Sequence, residues 1–391
     1  MLNLISKNIT FSIIKTKSIY IPYPHSFSSS LSISSSSLAT PKNVSECTSL
    51  DNSFTVSYLI NSCGFPPEKA ISTSKYLTLK SQEKADSVIT FFKKHDFTDS
   101  QISNVIFKFP RALAFNPEKT LLPKFKFLSS IGLSNSDIAK LLTARPKSLS
   151  RSLKNRLEPS YNALKDLLQS DERTLIAIRR CAWVLDWDFQ GNMIPNMQLL
   201  RDVGVPASKM LYVLTYQPRD FLVSSDQFRK VVEEVKEMGF DPTKTHFMLA
   251  FHAFRSMKKM TWDKKMEIYE KWGWSKDEIL AAFKMDPWCM MRSEKKIDKV
   301  MEFLVNKMGV ETSVIAKNSI LISLSFEKRI VPRCLVYQYC KDKGLMNNKN
   351  HVGFSWWLRC SESVLAKRLE KYEKKSPGVL EFYRKKLDLA T

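Results

Sequence analysis

The feature that most constrains this chain is a pattern of prolines repeated at a spacing of 36 residues. Pro110 and Pro146 lie 36 residues apart, and each is followed three positions later by a leucine, Leu113 or Leu149. A repeat of this length accommodates two short helices and the turn between them. The pattern therefore predicts an array of helix–turn–helix repeats.

The same spacing continues in both directions. Steps of 36 residues from Pro110 also reach Ser74, Ala182 and Pro218, and an apolar residue again stands three positions after each. A second column on the same spacing consists of Pro123, Pro159 and Pro195. Agreement of several columns at one period is the signature of a repeat protein.

Beyond Pro218 the spacing loosens. The next landmark falls at Ala253 or Phe254, and the pattern resumes at Pro287 and then at Ser319. We expect about eight repeats between residues 54 and 345, of about 36 residues each and shorter towards the carboxyl end.

Two helices are expected within each repeat. Apolar triplets at i, i+3 and i+4 precede each proline of the first column and predict a first helix. That helix should end near the proline, because the residue before a proline avoids the α conformation. A second helix is expected from Thr120 to Ile131, with Pro123 near its first turn and Gly132 at its end.

Both ends of the chain differ from the repeats. Residues 1–45 are basic and rich in serine, with no acidic residue before Glu46, which is typical of a disordered organellar transit peptide. The serine run favours the chloroplast, and the apolar–basic alternation of the first 17 residues favours the mitochondrion, which we prefer. Residues 346–391 are highly charged and are expected to form a helical cap with a basic tail.

The chain is strongly basic, with 61 Lys and Arg residues against 39 Asp and Glu, a net charge of +22. Such an excess indicates a polyanionic partner. The seven cysteines are scattered without a CxxC pair, so neither a disulfide framework nor a zinc site is indicated.

The segments PRALAF, PKSLSR and PRDFLV, which begin at Pro110, Pro146 and Pro218, resemble the repeats of the mitochondrial transcription termination factor (mTERF) family. Residues Thr261–Val300 and Ser323–Arg333 are similar to the plant branch of that family. The resemblance covers residues from about 54 to 375. It implies an all-α superhelical solenoid that binds nucleic acid in an organelle. The family's roles include transcription termination or initiation, RNA splicing and ribosome assembly.

Basic residues recur beside the prolines and would draw a positive stripe along one side of the array, as a phosphate backbone requires. Less regular basic pairs follow towards the carboxyl end. The alternative is a solvated basic face without a partner. The predicted nucleic-acid-binding residues are Lys108, Arg111, Arg145, Lys147, Arg151, Lys154, Arg179, Arg180, Arg219, Lys258, Lys259, Lys295, Lys296, Arg329 and Arg333.

Enzymatic motifs are absent from the sequence: it contains no HExxH, GxSxG, Walker or GxGxxG pattern. His246 and His252 are six residues apart, which does not suit a metal pair on one helix face. We therefore expect no catalytic activity, cofactor, metal, small-molecule substrate or membrane contact, and a monomeric protein. Most tryptophans are expected to pack between repeats rather than to stack on bases.

The first functional hypothesis is a double-stranded DNA-binding protein that regulates organellar transcription, including termination. The second keeps the fold and changes the ligand to organellar RNA, with a role in intron splicing or ribosome assembly. The third is an α-solenoid scaffold whose charge serves an acidic protein partner.

Overall fold

The computed structural model describes residues 49–346 and 353–388, and these residues form helices and turns without any strand. The prediction of an all-α fold is confirmed. The transit peptide expected at residues 1–45 lies outside the described residues. The described residues divide into two compact halves, one that ends at Trp187 and one that begins at Asp188.

Eight successive repeats can be followed between residues 67 and 342, each with a first and a second helix. The first helices of repeats 1–8 are Pro67–Ser74, Asp99–Lys108, Asn135–Ala144, Asp171–Arg180, Ala207–Tyr216, Thr245–Ser256, Lys276–Met285 and Thr312–Ala316. The second α-helices, in the same order, are Gln82–Lys94, Leu122–Ser130, Glu158–Leu168, Ile194–Asp202, Ser225–Glu237, Lys259–Lys271, Glu294–Met301 and Val331–Asp342. A further helix precedes the repeats, at Ser49–Asn61, and three follow them, at Phe354–Arg359, Glu362–Glu373 and Val379–Asp388.

A short helix between the two main helices was not expected from the sequence. Repeats 2, 3, 4, 5, 7 and 8 contain one, at Pro110–Ala114, Pro146–Ser150, Ala182–Asp186, Pro218–Phe221, Trp288–Met291 and Ile320–Ser323. The first four of these are 3₁₀ helices, in which only about three residues make a turn. Each repeat of this kind therefore has three helical pieces rather than the predicted two.

The first proline column fixes where the first helix ends, as predicted. Phe109 and Arg145, the residues before the prolines, leave the α-helical conformation, with φ of −147° and −135°. Cys181 adopts φ −149° although Ala182 replaces the proline, so repeat 4 ends its first helix at the same place. The apolar residue three positions later is buried throughout this column: Leu113, Leu149, Leu185, Phe221, Met290 and Ile322.

The second proline column differs from its prediction. The helical stretch in repeat 2 begins at Pro117, not at Thr120, with a π-helical turn over Pro117–Leu121. A proline inside a helix loses one hydrogen bond and crowds the carbonyl four residues earlier. The wider π turn just before Pro123 relieves that crowding, because the Leu122 amide bonds to the Pro117 carbonyl, five residues back. The same wide turn precedes the other two second-column prolines, over Leu153–Leu157 and Phe189–Met193. It also precedes Pro332, which lies outside that column, over Phe326–Ile330.

Repeat 6 departs most from the predicted pattern. Both expected landmarks, Ala253 and Phe254, lie inside the helix Thr245–Ser256. No proline stands between residues 245 and 271 to stop that helix, so it continues for longer than the other first helices. The second helix then starts at Lys259 without an intervening short helix.

Several second helices end with a residue in the left-handed conformation, which glycine adopts at little cost. Gly204 has φ of +89°, but Gln169 occupies the corresponding place in repeat 3 with φ of +51°. We expect Gln169→Gly to raise the free energy of unfolding by about 1 kcal/mol, measured by urea unfolding. Gly204→Ala should lower it by a similar amount, about 1 kcal/mol, since an added Cβ meets no atom within 4 Å and only the backbone is strained. A neutral Gln169→Gly result would contradict this account.

Candidate nucleic-acid interface

One column of exposed side chains lies at the second position of the four 3₁₀ helices. Arg111, Lys147, Trp183 and Arg219 occupy it, 36 residues apart. The three basic side chains are exposed and make no hydrogen bond or ion pair with any described residue. The short helices of repeats 2 and 3 contact each other, which places Arg111 and Lys147 on neighbouring elements of the amino-terminal half.

The local fold explains why this position faces solvent. A proline is the first residue of three of the four 3₁₀ helices. The residue two positions after the basic side chain is buried, as at Leu113 and Leu149. In a helix of about three residues per turn, the buried residue and its neighbour two places earlier point in different directions. Burial of the leucine therefore turns Arg111 and Lys147 outwards.

Several other predicted residues are engaged with the protein itself. In the amino-terminal half, the Lys108 Nζ donates to the Thr143 carbonyl at 2.9 Å. Arg179 forms an ion pair with Asp137 at 3.0 Å and also donates to the Gly132 carbonyl at 3.3 Å. Burial alone would raise the pKa of the Asp137 carboxyl, but hydrogen bonds from Ser134 and the Arg179 guanidinium outweigh it and lower that pKa.

Asp186 gathers two of the predicted arginines around one buried carboxylate. Arg145 Nε lies 3.2 Å from Oδ2, and Arg151 Nε lies 3.3 Å from Oδ1. The Ser148 hydroxyl donates to Oδ2 at 3.3 Å, and Arg156 Nη2 donates to the backbone carbonyl of Asp186 at 3.1 Å. Repeat 3 supplies the three hydrogen-bond donors Arg145, Ser148 and Arg156 and the Arg151 cation, which forms an ion pair without a hydrogen bond, and repeat 4 supplies the acceptors.

The two arginines predicted furthest along the chain hold the carboxyl-terminal helices in place. The Arg329 guanidinium donates to the carbonyls of Leu358, Arg359 and Cys360 at 2.6–2.9 Å. Arg333 is 2% exposed, and it donates to three carbonyls of the same helix end and pairs with Glu362 at 2.7 Å. We therefore assign Arg333 a structural role rather than a place in the interface.

The remaining predicted residues are mostly exposed. Lys296 is the exception, since it is half-buried and its Nζ lies 3.4 Å from the Ser323 carbonyl. Burial, with the nearby charge of Arg292, lowers the pKa of Lys296 to about 8. The exposed predicted residues are Lys154, Arg180, Lys258, Lys259 and Lys295.

Sequence reasoning missed a set of donors on the second helices that bond to the next repeat. The buried Asn196 donates to the carbonyls of Phe221 and Val223, at 3.2 and 3.1 Å. The buried Lys265 donates to the Met290 carbonyl at 2.6 Å, and burial lowers its pKa. These donors satisfy carbonyls at the end of a short helix, which would otherwise lack partners. The sequence does contain a signal for these donors. Polar side chains recur within the second helical stretch at positions where an apolar residue would be expected.

Two of the tryptophans pack against other aromatic side chains, as the sequence predicts. Trp262 packs against Phe254 and Phe283, with ring centroids 5.1 and 4.9 Å away, and Trp274 stacks on Tyr269 at 4.7 Å. Trp183 differs, because 38% of it is exposed. The Arg145 guanidinium lies over the Trp183 ring, with its Cζ 4.4 Å from the ring centroid.

The described part of the chain offers no arrangement suited to a metal ion, since no three His, Cys, Asp or Glu side chains are grouped to hold one. None of the described helices combines the length and the apolar character that a membrane span requires. Burial raises the pKa of the Cys289 thiol, so it is not activated as a nucleophile.

Comparison with known proteins agrees with these features. The model of the mTERF family matches residues 89–300 and 251–366, most of the described chain. The chain is also similar to the Arabidopsis thaliana protein named "Transcription termination factor MTERF15, mitochondrial", with 23% identity over 262 residues. That match covers 67% of this chain and 50% of the relative, so the chain spans about half of the relative's length. The repeats, their proline columns and the match to the family model together show that this chain belongs to the mTERF family.

Proposed function

We propose that this protein binds double-stranded DNA in an organelle and regulates transcription there, including termination. Membership in the mTERF family supports a general role in nucleic-acid binding. The relative's name, a mitochondrial transcription termination factor, supports the more specific role. A bound protein of this kind would obstruct or position a polymerase on its template.

The exposed column of Arg111, Lys147 and Arg219 is the observation that carries the proposal. These side chains have no acidic partner among the described residues, and they recur at the repeat spacing in a chain of net charge +22. Arg111 and Lys147 lie one repeat apart on short helices that contact each other, and cations that recur in this way suit a polymer whose phosphates also recur. Interactions of this kind set affinity and register but carry little sequence information.

The test replaces Arg111, Lys147 and Arg219 together by alanine. We expect weaker binding to duplex DNA of any sequence, and a slope of log affinity against log salt that is flatter by about 1 for each phosphate that the variant no longer neutralises. Fluorescence anisotropy with a labelled mixed-sequence duplex, repeated over a range of salt concentrations, measures both quantities.

A matched control removes the same charge elsewhere. Lys94, Lys126 and Lys230 are exposed on second helices and have no partner for their side chains among the described residues. The control triple alanine variant should change affinity much less than the test variant. Equal losses of affinity in the two variants would mean that only net charge matters, and an unchanged test variant would remove the column from the interface.

The same assay distinguishes the alternative functions. Competition by unlabelled single-stranded RNA that exceeds competition by duplex DNA would favour the RNA-binding role. Failure of the wild-type protein to bind either nucleic acid would favour a scaffold for an acidic protein partner.

For the cellular location and the domain arrangement, we propose a mitochondrial transit peptide at residues 1–45, a repeat domain at residues 54–345 and a helical cap at residues 346–391. The relative's name and the apolar–basic alternation of the first residues support the mitochondrion. A fluorescent reporter fused to residues 1–50 that accumulates in chloroplasts would contradict the location.

A further inference from the structure

The buried carboxylate of Asp186 fixes two arginines at the surface of the amino-terminal half. Only 2% of its side chain is exposed, whereas the side chains of Arg145 and Arg151 are 25% and 48% exposed. Each arginine uses its Nε to reach one carboxylate oxygen, at 3.2 and 3.3 Å. Arg145 forms a hydrogen bond in this way, whereas Arg151 forms an ion pair without a hydrogen bond.

The terminal nitrogens of both arginines remain available. Neither Nη atom of Arg145 or Arg151 has a hydrogen-bond partner within the described chain. A guanidinium carries five N–H donors, so Arg145 keeps four of them after its hydrogen bond to Asp186, and Arg151 keeps all five. Two parallel N–H donors on a guanidinium edge match two oxygens of a phosphate.

The charges at this place do not balance. Arg145, Arg151 and Arg156 bring three positive charges to one carboxylate, and Arg156 is bound to the backbone carbonyl rather than to the side chain. The exposed Lys147 and Lys154 lie within the same stretch of repeat 3. Partial burial strengthens the interaction of this excess positive charge with an anion, because the local dielectric is lower than in water.

Trp183 restricts the plane of one arginine. The Arg145 Cζ lies 4.4 Å from the ring centroid, a separation at which the cation and the aromatic face attract each other. Asp186 and Trp183 both belong to the short helix Ala182–Asp186 of repeat 4, so one element holds the guanidinium at its edge and on its face. Such a guanidinium loses little conformational freedom when it binds an anion.

We propose that Arg145 and Arg151 bind one phosphodiester group of the nucleic acid, and that Asp186 and Trp183 are positioning residues for them. This site rests on the proposed function, but it differs from the exposed column in kind. Lys147 and Arg111 act as mobile charges, whereas Arg145 and Arg151 present a preorganised fork. In this proposal the acidic Asp186 favours the binding of an anion, because it orients the two arginines that bind the phosphate.

The direction in which one substitution changes the affinity for nucleic acid distinguishes this site from a general effect of positive charge. Asp186→Asn removes a negative charge, so a field that depends only on net charge predicts tighter binding. Preorganisation predicts weaker binding, by about tenfold, because the two guanidiniums lose the charged acceptor that orients them. The salt slope should stay unchanged, since the number of cations that meet phosphates does not change.

A second substitution keeps every charge. Arg151→Lys preserves the cation but removes the planar fork, and we expect binding about tenfold weaker with the same salt slope. Arg151 is half-exposed, so this variant should fold even where Asp186→Asn does not. The controls are Asp166→Asn, which removes an exposed acid of repeat 3, and Lys126→Arg, which exchanges one exposed cation outside the predicted interface for another.

The probe is a fluorescein-labelled mixed-sequence DNA duplex of about thirty base pairs, titrated with the full-length chain at several salt concentrations. Circular dichroism establishes that each variant is folded. Weaker binding of both test variants, with both controls near wild type, supports the site. Wild-type affinity in Arg151→Lys overturns it, and so does tighter binding in a folded Asp186→Asn. If the wild-type protein binds no duplex, the proposed function itself fails.

Discussion

Arg333→Ala is expected to lower the free energy of unfolding by about 3–5 kcal/mol, the largest loss we predict for any one residue. The guanidinium is 2% exposed and donates to the carbonyls of Trp357, Leu358 and Cys360 at 2.7–3.3 Å. Removal of the side chain takes one donor from each of these carbonyls and leaves a cavity beside them. Arg329 still donates to the carbonyls of Leu358 and Cys360, but not to that of Trp357. Urea unfolding followed by tryptophan fluorescence measures the loss, because Trp356 and Trp357 lie in that helix.

The matched control is Glu362→Gln, which removes the charge of the carboxylate that pairs with Arg333. The Glu362 side chain is 58% exposed, so solvent weakens that pair and the loss should be below about 1 kcal/mol. Nucleic-acid affinity of folded Arg333→Ala should equal that of the wild-type protein. A stable Arg333→Ala variant with much weaker binding would return Arg333 to the interface and contradict its structural role.

Leu149→Ala is expected to lower the free energy of unfolding by about 3 kcal/mol. Leu149 is the apolar residue three positions after Pro146, and it is fully buried in the short helix of repeat 3. Its side chain fixes that helix to the core, so truncation leaves a cavity that rigid neighbours only partly fill. Thermal or urea unfolding measures the effect.

Lys147→Ala, two positions away on the same short helix, provides the control. Lys147 is exposed, so the free energy of unfolding should change by less than about 0.5 kcal/mol, while affinity for nucleic acid falls. The two variants therefore separate the supporting face of one short helix from its exposed face. Equal effects of the two variants on stability would contradict the burial pattern on which the proposed interface depends.

Much of the fold could be predicted because the repeat multiplies a weak signal. One proline with a leucine three positions later has little meaning, but Pro110, Pro146 and Pro218 at one spacing indicate repeated helix ends. The short helices escaped prediction because four or five residues are too few to show a helical period. The π turn before Pro123 also escaped prediction. It relieves crowding by a proline inside a helix, and the sequence predicted that this helix would start only at Thr120, with Pro123 in its first turn.

The candidate site could be predicted only in outline, for a physical reason. Arg145 and Lys147 flank the same proline and look equivalent in the sequence. The structure places Arg145 against Asp186 of the next repeat, 41 residues away, and leaves Lys147 in solvent. Which basic side chain is already engaged depends on acceptors in the neighbouring repeat, and a stretch of sequence read alone does not contain them. The net charge and the positions of the basic residues in the sequence therefore predicted a basic surface. They did not predict which cations bond within the protein and which remain able to bind nucleic acid.

The donors on the second helices give the repeat array a direction. Arg156, Asn196 and Lys265 each bond to a carbonyl of the short helix that follows, so repeats 3, 4 and 6 each supply a donor to the repeat after them. A chain built in this way has an unsatisfied end, because its last second helix carries donors with no further repeat to receive them. The helix Phe354–Arg359 supplies the final acceptors, to Arg329 and Arg333. The helix Phe354–Arg359 thus satisfies the last donors of the described repeats. The array could not be shortened from that end without a replacement for this helix.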